Sequence, residues 1–200
     1  MTTVFINEQP HPINTIYCVG RSYVEHIHEL NNEIPAEPLV FLKPNSSIIT
    51  GDTLTLPDFS DNVHHETELV LLIGENKQII AYTVGLDLTA RDVQSICKTK
   101  GLPWLKAKGF KGACWLGEFK PFIQKQYHLS LAINGEIRQD DSTEKMMYSF
   151  EYLVDYLDNL YGIQAGDIIM TGSPKGVGKL ERGDGLMVGI DDDRYELSVQ

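Results

Sequence analysis

No apolar stretch in this 200-residue chain is long enough to cross a bilayer, which takes roughly 20 residues. The opening MTTVFINEQPHPIN has neither the basic start nor the apolar run of a secretory signal. Cysteine is scarce: Cys18, Cys97 and Cys114 are far apart, odd in number and without a Cys-x-x-Cys pair. That argues against a disulfide framework and a zinc knuckle, and fits a reducing compartment such as the cytoplasm or an organelle matrix. Positive charge is short as well. Against 28 Asp and Glu stand 17 Lys and Arg, a formal net charge of −11, whereas a nucleic-acid face needs a basic surplus. A small anionic ligand survives this argument, because a cation and a few well-placed Lys or Arg set the local field. Repeats, low-complexity segments and linkers are missing too, so one domain over residues 1–200 is expected, with room for a substantial core.

What is present is β-rich. Turn signals are frequent and apolar runs short. TVFINE and NTIYCVG read as the first strands with PHP as the bend, LVFLKP as a third, and SIITGDTLTLP as strand, Gly-Asp turn, strand. HHETELVLLIG and IIAYTVGLDL follow, joined by the polar turn ENKQ, and Asn134-Gly135 in HLSLAINGEIRQ suits a type I′ hairpin. GDIIMTG, GLMVGI and RYELSV are later strands. Two helices are expected. LTARDVQSICKTKG has Thr89 and Asp92 as a capping-box-like pair and Gly101 and Pro103 as a stop. SFEYLVDYLDNLYG carries a stripe of Tyr152, Leu153, Tyr156, Leu157 and Leu160, ended by Gly162. A shorter helix spans Ser22 to Leu30, with Ser22 and Glu25 as its capping box.

Glu66 and Glu68 sit two apart at the mouth of an apolar strand, and a strand points such a pair to one face. Two like charges beside a core segment are costly unless something positive lies between them, and a divalent cation is the simplest answer. Asp87, in VGLDLTARDVQ, is the third candidate. An all-oxygen set suits Mg²⁺ or Mn²⁺ better than Zn²⁺. On pattern alone, a solvated strand end competes equally for the two Glu, and a helix-N-terminal acid is the stronger reading of Asp87. His64 shares the Glu face as a spare ligand, while His65 and Thr67 share the face of Leu69 and Leu71.

His26 and Glu29 share a helix face. A carboxylate beside an imidazole fixes its tautomer and raises its basicity, so the pair can strip a proton from water; on pattern alone a polar surface helix is the stronger reading, and CVGRSY just before it tips the balance to catalysis. Lys108 competes with Lys106 and Lys111. Arg91 either pairs with Asp92 or reaches a substrate carboxylate, and Lys43 is a candidate for the pocket wall. TGSPKGVGKLERGDG lacks the order of a Walker loop; its N–H groups and the hydroxyls of Thr171 and Ser173 can hold an anion.

The segments CVGRSYVEHIHEL, EPLVFLKP, HHETELVLLIG, LDLTARDVQ, KGLPWLKAKGF, INGEIRQ and GDIIMTGSPKGVG together resemble the fumarylacetoacetate hydrolase family, above all its short acylpyruvase and oxaloacetate decarboxylase branch. The resemblance implies a β-rich α+β fold, a mixed β-sandwich roll with short peripheral helices, and a homodimer. It implies Mg²⁺ or Mn²⁺ on Glu66, Glu68 and Asp87, with Ca²⁺ as a substitute in crystals. It also implies His26 and Glu29 as a water-activating dyad, Lys108 as a substrate anchor, and a polar contact from Gln94. Ser173 stands where threonine is commoner, and WLGEF departs from the family's usual run. The implied activity is hydrolysis of the C–C bond of 2,4-dioxo acids, acylpyruvates such as fumarylpyruvate, to pyruvate and a carboxylic acid. The alternatives are an oxaloacetate decarboxylase or keto–enol tautomerase on the same site, and a cation-binding member without catalysis.

Overall fold

Seven consecutive residues, Thr67–Ile73, are all buried in the computed structural model, which describes residues 2–29, 33–49 and 51–200. A strand covered on both faces reads as a continuous apolar run, as LVLLI does. Its alternate side chains enter two cores. Leu69, Leu71 and Ile73 join the larger, and Val70 and Leu72 the smaller.

This strand sits in the middle of an eight-stranded mixed sheet. On one side it pairs with Ile168–Met170, then Ile16–Gly20, then the edge strand Leu39–Lys43. On the other it pairs with the long strand Ile79–Asp87, which also holds Cys114–Leu116 and Lys120–Pro121. A five-stranded sheet runs Glu136–Ser142, His128–Ile133, Gly185–Ile190, Asp193–Val199 and Thr53–Leu54. Leu129, Leu131 and Val188 from it share the larger core with Leu69 and Leu71. A small sheet of Thr89–Ala90, Val63–His65 and Gly178–Lys179 closes one end. The result is the β-rich roll with short helices that the sequence implies.

Asn134 and Gly135 both take positive φ, as a type I′ turn requires. Three expectations are corrected. PHP is part of the strand Gln9–Pro12, not a bend; the turn falls earlier, at Asn7 and Glu8, both with positive φ. SIITGDTLTLP makes no hairpin, because Ile48–Ile49 joins the eight-stranded sheet and Thr53–Leu54 the five-stranded one. Arg91–Lys100 has no side-chain cap: the Thr89 hydroxyl donates to the Asp87 carbonyl, and Asp92 accepts from Ser60.

The helix Phe150–Tyr161 is capped by Ser149, whose hydroxyl accepts from the Tyr152 N–H, and ends at left-handed Gly162. Its buried face is Phe150, Leu153, Val154 and Leu157; Tyr152 and Leu160 face outward, and Tyr152 stacks between Tyr148 and Tyr156, both half-buried against the larger core. The short helix Val24–Glu29 starts after Tyr23. Leu30 lies outside the described residues. The Ser22 hydroxyl is turned to the Val19 carbonyl, and Glu25 pairs with Lys175, so the expected capping box is replaced by tertiary contacts. Among the described residues no helix is long and apolar enough to cross a membrane.

Removing the cap of the long helix should cost stability and little else. Ser149→Ala is expected to lose about 1 kcal/mol in urea unfolding followed by circular dichroism, with an unchanged denaturant slope.

Candidate metal and substrate site

The backbone breaks strand geometry at Glu66. Val63–His65 belongs to the small sheet, Thr67–Ile73 to the large one, and Glu66 lies between them. The Glu66 carbonyl accepts the N–H of Asp87 at 2.8 Å, so the backbones of two candidate ligands are joined directly. Glu68 faces Gly85 on the neighbouring strand, two residues before Asp87. One carboxylate oxygen from each of Glu66, Glu68 and Asp87 lies within 4.8 Å of the others. The three residues are 6 %, 2 % and 1 % exposed, which rules out the solvated strand end.

Three cations face these acids. Lys108 Nζ donates to Glu66 Oε2 at 2.7 Å and to Asp87 Oδ2 at 2.6 Å. Arg91 donates to Glu66 Oε1 and, at 2.9 Å, to Gln94 Oε1. Lys43 Nζ stands 2.7 Å from Asp87 Oδ1, but its N–H groups point elsewhere, to the carbonyls of Lys108, Ala113 (2.9 Å) and Leu88 (3.4 Å). Asp87 Oδ1 is therefore buried without a hydrogen-bond donor. Gly172 N–H donates to Glu68 Oε2 at 2.8 Å. A left-handed φ of +102° permits this, and a Cβ at Gly172 would fall 2.8 Å from the Val19 carbonyl.

Charge divides the two glutamates. Burial alone would raise Glu66; the charges of Lys108, Arg91 and His26 overcome it and hold the carboxyl well below its usual range. Glu68 makes no ion pair: burial, then Asp87 and Glu66, outweigh the pull of Lys108 and the Gly172 N–H and push it well above. Burial depresses Lys108, but Asp87 and Glu66 outweigh that and raise it, so the ammonium stays protonated. The donor set fits a hard divalent ion. It is all oxygen, one carboxylate oxygen has no donor, and Glu68 lacks a counter-charge of its own.

Around this cluster the structure gathers most of the expected residues. His26 Nδ1 meets Glu29 Oε2 at 3.0 Å, and Glu29 Oε1 accepts the Gly176 N–H at 3.0 Å. Gln94 is buried and turned to Arg91; Arg91 pairs with Glu66 rather than with Asp92. Lys43 lies behind Asp87 with its ammonium wholly buried, not on an open wall. The Thr171 hydroxyl donates to the Leu69 carbonyl at 3.0 Å, while the Ser173 hydroxyl accepts from Gln139 at 2.8 Å. His64 is outside the cluster: Nε2 meets Asn62 Oδ1 at 2.9 Å, and burial followed by the Arg91 charge lowers its pKa to about 4. Lys106 lies over the Phe59 ring, which separates it from Lys108. Gln139, which the sequence pattern does not single out, is wholly buried beside the site. In the polar stretch GEIRQDD no sequence signal sets it apart.

The family profile described as Fumarylacetoacetate (FAA) hydrolase C-terminal matches residues 15–197. The oxaloacetate tautomerase YcgM of Escherichia coli is 39 % identical over 197 residues, 90 % of each chain. The mitochondrial oxaloacetate decarboxylase of Dictyostelium discoideum is 37 % identical over 191 residues, 88 % of both. The crystal structure of fumarylpyruvate hydrolase from Pseudomonas aeruginosa, in complex with Mn²⁺ and pyruvate, superposes with a TM-score of 0.93 at 30 % identity, covering 99 % of this chain and 95 % of that one.

The two glutamates set opposite pH windows for the cation-free protein. Glu66, held low, stabilises the fold above the ordinary carboxylate pKa, and this is lost as pH falls through its lowered value. Glu68, held high, stabilises below the ordinary value, and this is lost as pH rises towards its raised one. Thermal melts without divalent ions should therefore show stability falling across that upper window, and saturating Mn²⁺ should remove the fall. A Glu68→Gln variant in which the fall persists undiminished would contradict this assignment.

Proposed function

This chain belongs to the fumarylacetoacetate hydrolase family, and on that premise we propose that it is a divalent-cation-dependent enzyme acting on oxaloacetate, by keto–enol tautomerisation or decarboxylation. The observation that carries the reading is the buried cluster itself. Three carboxylates, Glu66, Glu68 and Asp87, face three cations, Lys43, Arg91 and Lys108. A divalent ion added to that balance leaves the site positive and suited to a dianionic oxo acid, although the molecule carries −11. The relatives favour oxaloacetate over acylpyruvates: the tautomerase and the decarboxylase are more similar to this chain than the fumarylpyruvate hydrolase is.

Glu66, Glu68 and Asp87 would hold Mg²⁺ or Mn²⁺; when bound, the cation polarises the oxo oxygen and stabilises negative charge developing there. Lys108 adds a second positive charge at the same oxygen. Glu29 engages His26 Nδ1, which leaves Nε2 to take a proton from C3 and return it at the enol oxygen. Arg91, oriented by Gln94, is the group we assign to a substrate carboxylate, with the Ser173 hydroxyl opposite. Lys43 and Thr171 serve by placing Asp87 and the loop. In decarboxylation CO₂ leaves without a base, and the dyad acts only in protonating C3 afterwards.

Hydrolysis of acylpyruvates is the second reading, favoured by the similarity to the Mn²⁺- and pyruvate-bound structure. It needs the same dyad to activate a water. We further place the chain as a homodimer, for which exposed Leu42, Leu102 and Leu105 offer apolar surface, and in the cytoplasm, where its three unpaired cysteines stay reduced.

With Mn²⁺ or Mg²⁺ the protein is expected to accelerate ketonisation of enol-oxaloacetate, read by ultraviolet absorbance, or CO₂ release from oxaloacetate. Glu29→Ala should lower tautomerisation, and any acylpyruvate cleavage, by about 10²–10⁴-fold while sparing decarboxylation. A cation-loaded protein that turns over neither oxaloacetate nor an acylpyruvate leaves only cation binding.

A further inference from the structure

Gln139 lies on Glu136–Ser142, an edge strand of the five-stranded sheet, well away from the ligands in sequence. Its register against His128–Ile133 slips there: Leu131 faces Gln139, while Ala132 faces Ile137. Arg138 is the extra residue of a β-bulge, and a bulge re-aims the side chain beside it. Glu136, Ile137 and Arg138 are all exposed, then Gln139 is wholly buried. Opposite the bulge, a Cβ on Gly176 would come within 1.9 Å of the Arg138 carbonyl. Only glycine lets the Gly172–Gly178 loop approach so closely.

The buried amide uses both ends. Oε1 accepts the Thr67 N–H at 3.0 Å and faces His65 Nδ1 at 3.1 Å. Nε2 donates to Ser173 Oγ at 2.8 Å and to the Pro174 carbonyl at 2.9 Å. Since Oε1 can only accept, His65 carries its proton on Nδ1. Thr67 is the residue between Glu66 and Glu68, at the point where strand pairing is interrupted. Ser173 follows Gly172, whose N–H holds Glu68.

We propose that Gln139 is the positioning residue of the site, one amide whose carbonyl end sets the spacing of Glu66 and Glu68 and whose NH₂ end sets the Ser173 hydroxyl towards substrate. It acts through other groups and touches no reacting atom. Leucine at this position can do neither task, and glutamate only the accepting one, because a carboxylate has no N–H for Pro174. The inference deepens the cation-site reading and rests on it.

The test is Mn²⁺ titration by calorimetry of the parent, Gln139→Leu and Gln139→Glu, then oxalate titration of each Mn²⁺-loaded protein. Gln139→Leu should weaken Mn²⁺ about 10–100-fold, the usual effect of removing a partner that orients ligands. Gln139→Glu should keep Mn²⁺ affinity near the parent value and weaken oxalate about tenfold, on the same scale. Lower melting temperatures with both dissociation constants unchanged would make Gln139 merely structural and overturn the proposal. If the leucine variant does not fold, the glutamate variant decides, and unchanged oxalate binding there overturns it. A parent that takes up no Mn²⁺ defeats the cation-site reading, a result distinguishable from variants that match a binding parent.

Discussion

Everything at the functional end of this molecule is organised by the repulsion of three buried carboxylates. Two unit charges about 4 Å apart interact by about 4 kcal/mol at an effective dielectric constant of 20, so Glu66, Glu68 and Asp87 need compensation to share a space this small. The compensation comes from separate elements. Lys43 ends the strand Leu39–Lys43, Arg91 begins the helix Arg91–Lys100, and Lys108 ends the helix Leu105–Lys108. Each cation ties its element to the central strands, so the charge balance that makes a site also docks the short helices on the sheet. Glu68, which has the Gly172 N–H but no ion pair, is where the balance leaves room for a cation.

The same arrangement explains why one site serves several reactions in this family. Tautomerisation, decarboxylation and C–C hydrolysis all build negative charge at the 2-oxo oxygen, where on the proposed mechanism Lys108 and a bound cation would act. On that mechanism they differ in what the His26–Glu29 pair would do: shuttle a proton, protonate a product, or activate water. That pair sits on a six-residue helix fastened by its contacts with the Lys175–Gly176 loop. The part that varies among the chemistries is thus held apart from the part that does not.

Much of this was legible from residues. Glu66 and Glu68 beside LVLLI mark a candidate site in the residues, but a solvated strand end competes equally until the strand is known to be buried on both faces. Asn134-Gly135 gives its hairpin because φ preference is a local property. What was illegible is tertiary. Thr89 and Asp92 have capping-box spacing, but Asn62 and Ser60 claim that terminus first, Asn62 through its carbonyl to the Arg91 N–H. Ile48–Ile49 and Thr53–Leu54 look like a hairpin and join different sheets, since pairing partners far along the chain outcompete the near one. Lys43 reads as a strand-end lysine; that its ammonium is enclosed by carbonyls from three other segments has no sequence signature. Gln139 depends on a bulge one residue away, which no periodicity foretells.

With a divalent ion bound as proposed, the site would oppose the sign of the molecule, and that has a kinetic corollary. At physiological ionic strength the Debye length is about 8 Å, so a dianion of the proposed kind would feel the net negative charge of the molecule at a distance and Arg91 and Lys108 only close in. On the proposed reading electrostatic steering would be inverted: salt, by screening the outer repulsion more than the enclosed attraction, would quicken capture instead of slowing it.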